Sequence, residues 1–165
     1  MGGNAFAALL PGASFPRMSP EVYNRLKDDL TQCLQTFYEV VAVPREAPEK
    51  VDHGDLDFVV CNPRKEFTLH EVREALGARE AVLVEGNRMS NFAIPVKSLE
   101  PTEKEEYHQV DVRVCTDSNE LHRTVAFNSY GDLGMILGSI ARASLLAFGT
   151  NGLKVHIISF ICHRR

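Results

Sequence analysis

Apolar residues recur at helical spacing in three parts of the chain and predict three helices. The first begins after Ser19, a residue that suits a helix N-cap. The second begins after Thr68, where Glu71 completes a capping box, and ends at Gly77, which suits a helix C-terminus. The third is predicted to end near Gly149. Its apolar positions are Leu133, Ile136, Leu137, Ile140, Leu145 and Phe148.

Runs of β-branched and aromatic residues predict roughly five or six strands around these helices. The runs cover residues 38–43, 56–61, 81–85, 91–97, 108–115 and 154–161. Pro95 lies inside one run and predicts that this strand is at a sheet edge or carries a bulge. Helices and hairpins do not alternate strictly along the chain. We therefore predict an α+β fold in which helices flank a mixed or antiparallel sheet.

The length and composition predict one domain preceded by an arm. The chain has 165 residues, of which 44% are hydrophobic, and this is enough for one hydrophobic core. Residues 1–18 are rich in Gly, Pro and Ala and predict an irregular, flexible arm. Residues 19–165 are predicted to form the domain.

Charge and cysteine usage narrow the class of protein. The formal net charge is −4, so no strong basic field exists to attract nucleic acid. No apolar run is long enough to span a membrane. The cysteines form no Cys-X-X-Cys pair and lie in apolar or helical patterns, which indicates small buried side chains in a reducing, intracellular compartment, the cytoplasm or the nucleus. They are Cys33, Cys61, Cys115 and Cys162.

The stretch VDHGDLDFVVCNP places two acidic residues in an apolar strand. Asp55 and Asp57 are two positions apart, so in a strand their side chains lie on one face, about 7 Å apart. Leu56 and Phe58 then lie on the opposite face, in the core. Two carboxylates at this spacing resist ionising together unless a cation lies between them. A divalent cation such as Mg²⁺ satisfies that condition.

A third carboxylate is available on a later strand. Asp111 lies in the stretch YHQVDVRVC, on the face that it shares with Gln109 and Arg113 and opposite the valines. If this strand pairs with the strand of Asp57, three carboxylates converge. Such a cluster can bind two metal ions, which stabilise the attacking and leaving oxygens of a phosphoryl transfer. The alternative is that the aspartates only keep an exposed strand soluble.

The motif GDLDFVV, followed by Asn-Pro, a capped helix, a hairpin and QVDVRV, resembles the palm of the DNA polymerase beta-like nucleotidyltransferases. The similarity is greatest to the family X polymerases and terminal transferase. That family carries two aspartates on one strand and a third on a later strand, which match Asp55, Asp57 and Asp111. The resemblance implies the nucleotidyltransferase palm fold, with these residues holding two Mg²⁺ or Mn²⁺ ions and Asp111 helping to activate the attacking hydroxyl.

The resemblance also implies an activity. It is the transfer of a nucleoside monophosphate from a nucleoside triphosphate, ATP among them, to a hydroxyl acceptor, with release of pyrophosphate. The acceptor could be a protein side chain, a small molecule or a nucleic-acid 3′ end. The acidic composition and the absence of a recognisable DNA-binding module argue against a processive DNA polymerase.

One departure from the family concerns the triphosphate. The family places Gly-Ser or Gly-Gly after its first palm strand, where backbone amides hold the triphosphate, whereas this chain has Pro44-Arg45. Gly2-Gly3 stands far upstream and could fold back into the site or belong to the flexible arm. The departure leaves open an alternative, a catalytically inactive protein of this fold that binds nucleotide or a protein partner.

Further residues are candidates for nucleotide binding. Arg45 and Lys50 could pair with phosphate in place of the missing glycines, and Arg113 could pair with phosphate or with an acid on its face. Gly54 directly precedes the first aspartate. Asn128 and Ser129 lie in a stretch that resembles the segment leading into the helix beside the nucleotide. The alternative for Arg45 and Lys50 is an ordinary solvated loop, and the alternative for Asn128 and Ser129 is a helix-capping turn. The full set is Arg45, Lys50, Gly54, Arg113, Asn128 and Ser129.

Overall fold

The computed structural model describes residues 4–84, 86–96 and 104–155. These residues form a 3₁₀ turn, Asn4–Phe6, and the following helices and strands. The helices are α1 (Pro20–Leu34), α2 (Leu69–Ala75), α3 (Ser118–Asn128) and α4 (Leu133–Ala143). The strands are β1 (Tyr38–Ala42), β2 (Asp55–Pro63), β3 (Glu80–Leu83), β4 (Met89–Pro95), β5 (Tyr107–Val114), β6 (Leu146–Gly149) and β7 (Gly152–Val155).

The first five strands form one mixed sheet in the order β1-β2-β5-β4-β3. β2 and β5 pair in parallel, and the other neighbours pair antiparallel. The α+β class with a mixed sheet flanked by helices is therefore confirmed. β4 lies between β5 and β3, so the prediction of an edge strand at Pro95 is wrong. Pro95 is the last residue of β4, past the end of β3, so the missing N–H does not interrupt the ladder within the strand.

Local signals set the helix ends as predicted for α1 and α2. The backbone N–H of Val22 donates to the side chain of Ser19 at 3.3 Å, and Pro20 opens the helix. Thr68 and Glu71 form the reciprocal capping box. Because these signals act within a few residues, the sequence contains them in full.

The two faces of the five-stranded sheet are covered differently. α1 and α2 pack on one face, where the core includes Leu34, Phe58, Val72, Phe92 and Val110. We call the opposite face, which carries Asp55, Asp57 and Asp111, the acidic face. Among the described residues, apolar clusters cover its two ends, and the three aspartates lie between them.

α3 covers one end of the acidic face. Leu121 packs there against Val59, Cys61 and Cys115, all of which are buried. α3 was not predicted from the sequence. The signal was present at its start, because the side chain of Asp117 caps the helix through the backbone N–H of Glu120 at 2.8 Å.

The N-terminal arm covers the other end. Phe6 is fully buried against Ala93 and Tyr107, and Phe15 stacks on Phe6 with ring centroids 5.5 Å apart. The described part of the arm is irregular, as predicted, but it packs on the sheet and is not a free appendage. Gly2-Gly3 lies outside the described residues.

The predicted third helix is shorter than expected. α4 ends at Ala143, and Leu145 has a positive φ of 57° that turns the chain out of the helix. The next residues form a hairpin of β6 and β7, so the assignment of Leu145 and Phe148 to a helix is wrong. Asn151-Gly152 at the turn is a hairpin signal that outweighs the helical periodicity. The last predicted strand, residues 154–161, lies outside the described residues from residue 156 onward.

Within the described ranges, none of the helices has both the length and the hydropathy needed to cross a membrane.

Cys33, Cys61 and Cys115 are free thiols. Cys61 and Cys115 are buried, as predicted for small core residues. Cys162 lies outside the described residues.

Candidate functional site

The parallel pairing of β2 and β5 brings the three aspartates together. Asp57 lies opposite Asp111, and Asp55 lies opposite Gln109. Neighbouring strands are about 5 Å apart, and alternate residues of a strand lie about 7 Å apart on the same face. The strand pairing on which the sequence made the convergence conditional is therefore present in the fold.

The electrostatics of the acidic face are those of crowded carboxylates. Partial removal from water and the negative charges of Asp55, Asp111 and Glu46 raise the pKa of Asp57 to about 7, while Lys50 opposes the shift. Asp57 stays exposed to solvent, so water screens part of this effect. A group with this pKa is only partly ionised at neutral pH, and a cation beside it would favour the ionised form.

Two neutral amides hold the carboxylate of Asp111. Asn91 Nδ2 donates to Oδ1 at 2.7 Å, and Gln109 Nε2 donates to Oδ1 and Oδ2, each at 3.0 Å. Burial, together with the charge of Asp55, raises the pKa of Asp111 above its ordinary value. The hydrogen bonds from the two amides oppose this shift but do not cancel it. Asn91 was missed by sequence reasoning because it lies on β4, which becomes a neighbour of β5 only in the folded sheet.

A second group of polar side chains borders the aspartates. Glu46 accepts a hydrogen bond from the hydroxyl of Tyr23 at 2.9 Å and forms an ion pair with Lys50. Burial tends to raise the pKa of Glu46, but the hydrogen bonds from Lys50 and Tyr23 lower it overall. Both Glu46 and Lys50 act electrostatically on Asp57, so this group influences the charge of the acidic face.

His53 is buried in this group rather than exposed as an isolated loop residue. Its ring stacks on Tyr23 with centroids 3.8 Å apart, and its Nδ1 lies 3.6 Å from Glu46 Oε2. Burial lowers the pKa of His53, although Glu46 opposes the shift. The backbone of His53 also pairs with Met18, which ties the arm to the segment just before Asp55. His53 therefore has a structural position at the edge of the site.

An open cleft of about 490 Å³ lies between α1 and the segment after β1. Positive side chains line it together with Glu46 and Glu49. The positive residues are Lys27, Arg45 and Lys50. None of the described residues that line the cleft is an aspartate of the acidic face, but Glu46 and Lys50, which do line it, act electrostatically on Asp57.

The structure joins Arg45 to the end of α3. The backbone N–H of Arg45 donates to Ser129 Oγ at 3.0 Å, and its guanidinium donates to the hydroxyl of Tyr130 at 3.3 Å. Ser129 is buried, and its hydroxyl donates to the carbonyl of Val125 at 2.7 Å. Ser129 therefore fixes one loop to another, while Asn128 beside it is exposed.

The remaining predicted residues lie on or beside the acidic face. Gly54 directly precedes β2 and Asp55. Arg113 is two residues beyond Asp111 on β5 and pairs across the sheet with Met89 and Val59. Gly54 and Arg113 are thus within two residues of an aspartate along the chain, and Lys50 acts electrostatically on Asp57. Asn128 and Ser129 belong to the α3 terminus.

The donor atoms on the acidic face suit a hard divalent cation. Carboxylate oxygens are the ligands that Mg²⁺ takes most readily, usually with water and substrate phosphate completing its shell. Within the described part of the chain, no three His, Cys, Asp or Glu side chains are gathered into a ready-made metal cluster. Burial and the neighbouring negative charges raise the pKa of Asp57, and a bound cation would favour its ionised form. The residue types fit Mg²⁺, and drawing them together would require the cation itself.

Comparison with known proteins assigns the chain to no family. A scan against models of protein families finds no match, and a search of curated proteins finds no relative.

Proposed function

We propose that this chain is a metal-dependent nucleotidyltransferase with a polymerase-beta-like palm. The observation that carries the proposal is the register of β2 and β5, in which Asp57 lies opposite Asp111 and Asp55 lies one step away on the same face. A merely solubilising role would not require the third aspartate to be half-buried and held by Asn91 and Gln109. Asp57 is exposed and Asp55 and Asp111 are half-buried, so solvent reaches the carboxylates.

The three aspartates have distinct positions in this proposal. Bound Mg²⁺ or Mn²⁺ would supply the positive charge that stabilises the attacking and leaving oxygens. Asp55 and Asp57 would hold it on the side of the triphosphate. Asp111 would lie beside the acceptor hydroxyl and favour loss of its proton. The hydroxyl oxygen would then bond to the α-phosphorus, the bond to the bridging oxygen would break, and pyrophosphate would leave.

Lys50 is the cation best placed to meet the phosphates. Its ammonium group pairs with Glu46, and its charge acts on Asp57. A triphosphate in the cleft would compete with Glu46 for this ammonium group. Lys50 would therefore take the place of part of the missing Gly-Ser element as a point charge.

The alternative is a catalytically inactive protein of the same fold that binds nucleotide or a protein partner. One observation favours it. The backbone N–H of Arg45, which stands where the family uses amides to hold phosphate, donates instead to Ser129 Oγ at 3.0 Å. This amide is not free to bind a phosphate oxygen unless the joint with Ser129 opens.

Calorimetry with each nucleoside triphosphate, with and without Mg²⁺ or Mn²⁺, tests the proposal on the wild-type chain, Asp57→Asn and Asp28→Asn. Asp28 is exposed on α1 and makes the control variant equal in charge. We expect metal-dependent binding that weakens at least about 10-fold in Asp57→Asn and is unchanged in Asp28→Asn. Equal binding by both variants, or no binding by the wild type, would contradict the proposal.

Pyrophosphate release from the bound nucleotide separates the two alternatives. We expect release when protein, nucleic-acid and small-molecule hydroxyl acceptors are supplied, and loss of release in Asp111→Asn. Tight metal-dependent binding with no release from any acceptor would support the inactive form. In that case, identification of a protein partner would replace the search for an acceptor.

A further inference from the structure

We propose that Asn91 and Gln109 are positioning residues that hold the carboxylate of Asp111 so that Oδ2 faces the metal site and Oδ1 faces away from it. The inference rests on the proposed function. It adds two residues to the machinery, one of them from a strand on which sequence reasoning placed no site residue.

The order of the strands determines the direction of each contact. β5 lies between β2, which carries Asp55 and Asp57, and β4, which carries Asn91. Asn91 lies opposite Asp111 in the β4–β5 register and donates to Oδ1 at 2.7 Å. This hydrogen bond draws Oδ1 toward β4. It leaves Oδ2 as the oxygen nearer to β2 and the other aspartates.

Gln109 restrains the rotation of the Asp111 carboxylate. Its Nε2 lies 3.0 Å from both carboxylate oxygens, so it restrains the rotation of the carboxylate plane. Gln109 is buried, and it lies opposite Asp55 in the β2–β5 register. Gln109 therefore donates to one acid, Asp111, and has a second acid, Asp55, as its partner on the neighbouring strand. Oδ1 accepts two hydrogen bonds and Oδ2 accepts one from these amides, so Oδ2 keeps more free capacity to accept a cation.

The chemical nature of the donors suits this role. A Lys or Arg at either position would pair with Asp111 and compete with a metal ion for its charge. Neutral amides orient the carboxylate and leave its negative charge for the cation. We therefore infer that the pair tunes the affinity of the Asp111 side of the site, whereas Asp55 and Asp57, on the other strand, serve the triphosphate side.

Titration of the protein with Mn²⁺, with free Mn²⁺ measured by its electron paramagnetic resonance signal, tests the inference. The variants are Asn91→Leu, which removes the donor, and Asn91→Gln, which retains an amide. Asn151→Leu is the matched control, because Asn151 is exposed in the β6–β7 turn. Removing a partner of a metal ligand weakens metal affinity about 10–100-fold, and we expect this range for Asn91→Leu. We expect Asn91→Gln to recover part of the affinity and Asn151→Leu to match the wild type.

Steady-state kinetics provide a second test, because a purely structural role would not lower kcat selectively. We expect kcat to fall in Asn91→Leu while KM for the nucleoside triphosphate changes little. Gln109→Met, which keeps the volume of the side chain, should reproduce the effect, and it serves as the test if Asn91→Leu does not fold. Thermal unfolding of each variant without metal shows whether it has folded.

The outcomes separate this inference from the proposed function. If the wild type binds no Mn²⁺, the proposed function fails and takes this inference with it. If the wild type binds Mn²⁺ and the folded Asn91→Leu and Gln109→Met variants bind it equally well, only the positioning role is overturned. Loss of affinity in Asn151→Leu to the same extent would likewise overturn the positioning role.

Discussion

A carboxylate that lies among other carboxylates binds a proton more tightly than one alone in water. Asp57 is in this position, with Asp111 opposite it and Asp55 two residues away on its own strand. The folded chain therefore holds a proton on Asp57 at pH values where the unfolded chain has lost it. Repulsion of this kind costs stability, and proteins retain it where a ligand relieves it.

The pH dependence of stability follows from the raised pKa of Asp57, about 7 against an ordinary value of 3.8. Between these two values the folded state binds more protons, so the contribution of Asp57 to stability is lost as pH rises through 7. Asp57→Asn should abolish this loss. At pH 8 we expect the metal-free variant to be more stable than the wild type by about 1 kcal/mol, because solvent screens an exposed group.

Thermal unfolding at pH 5 and pH 8 measures this effect. About 1 kcal/mol corresponds to a shift in Tm of roughly 2–4 °C for a chain of this size. His53 and His108 are buried and also titrate, with pKa values lowered by burial, but both are present in the two proteins. A lower Tm for Asp57→Asn at pH 8 would mean that the Asp57 carboxylate has a stabilising partner.

At the scale of elements, hydrogen bonds join the loop after β1 to the end of α3. The segment after β1 is tied to the end of α3 by the bond from Arg45 to Ser129 and by the Tyr130 N–H, which donates to the carbonyl of Arg45 at 2.6 Å. The same segment carries Glu46 and Lys50. The end of α3 therefore anchors the segment that carries Glu46 and Lys50.

Ser129→Ala tests this joint. The change removes the acceptor of the Arg45 N–H, so we expect a loss of about 0.5–1.5 kcal/mol in the free energy of unfolding. Hydrogen exchange at the amide of Arg45 should become faster. Ser139→Ala is the control, because its exposed hydroxyl also donates to a helix carbonyl, that of Met135. A loss no greater than that of Ser139→Ala would show that the joint contributes little.

At the scale of the whole molecule, the arm belongs to the folded domain. Phe6 and Met18 are fully or almost fully buried, and the amides of Ser14 and Tyr107 join the arm to the start of β5. The arm and α3 pack at opposite ends of the acidic face. Together they enclose the area between them, which is where the three aspartates lie.

Phe6→Ala measures how strongly the arm is coupled to the domain. Truncating a fully buried phenylalanine costs about 3–5 kcal/mol when the surrounding structure unfolds as one unit. Leu9→Ala, at a position that is 50% exposed, should change stability by less than about 0.5 kcal/mol. Denaturant unfolding gives both values. A loss below about 1 kcal/mol for Phe6→Ala would contradict the coupling and favour a detachable arm.

Much of the fold could be predicted because its signals are local. The caps of α1 and α2 act within one helical turn, and the alternation around Asp57 and Asp111 fixes which side chains share a face. α3 was missed because it contains few large apolar residues, and the β6–β7 hairpin was missed because helical spacing continues past Ser144. There Leu145 turns the chain and a strand pairing replaces the helix.

The candidate site divides in the same way. The sequence by itself determined the three aspartates and their common face, because a strand repeats every two residues. Only the tertiary structure decided that β2 and β5 are parallel neighbours, that Asn91 reaches Asp111 from β4, and that Glu46 holds Lys50 beside Asp57. The β2–β5 pairing and the Asn91–Asp111 bond join residues that are distant along the chain, and the effect of Lys50 on Asp57, like these contacts, depends on burial and neighbouring charge. Both are properties of the folded sheet, and no single segment of the sequence contains them.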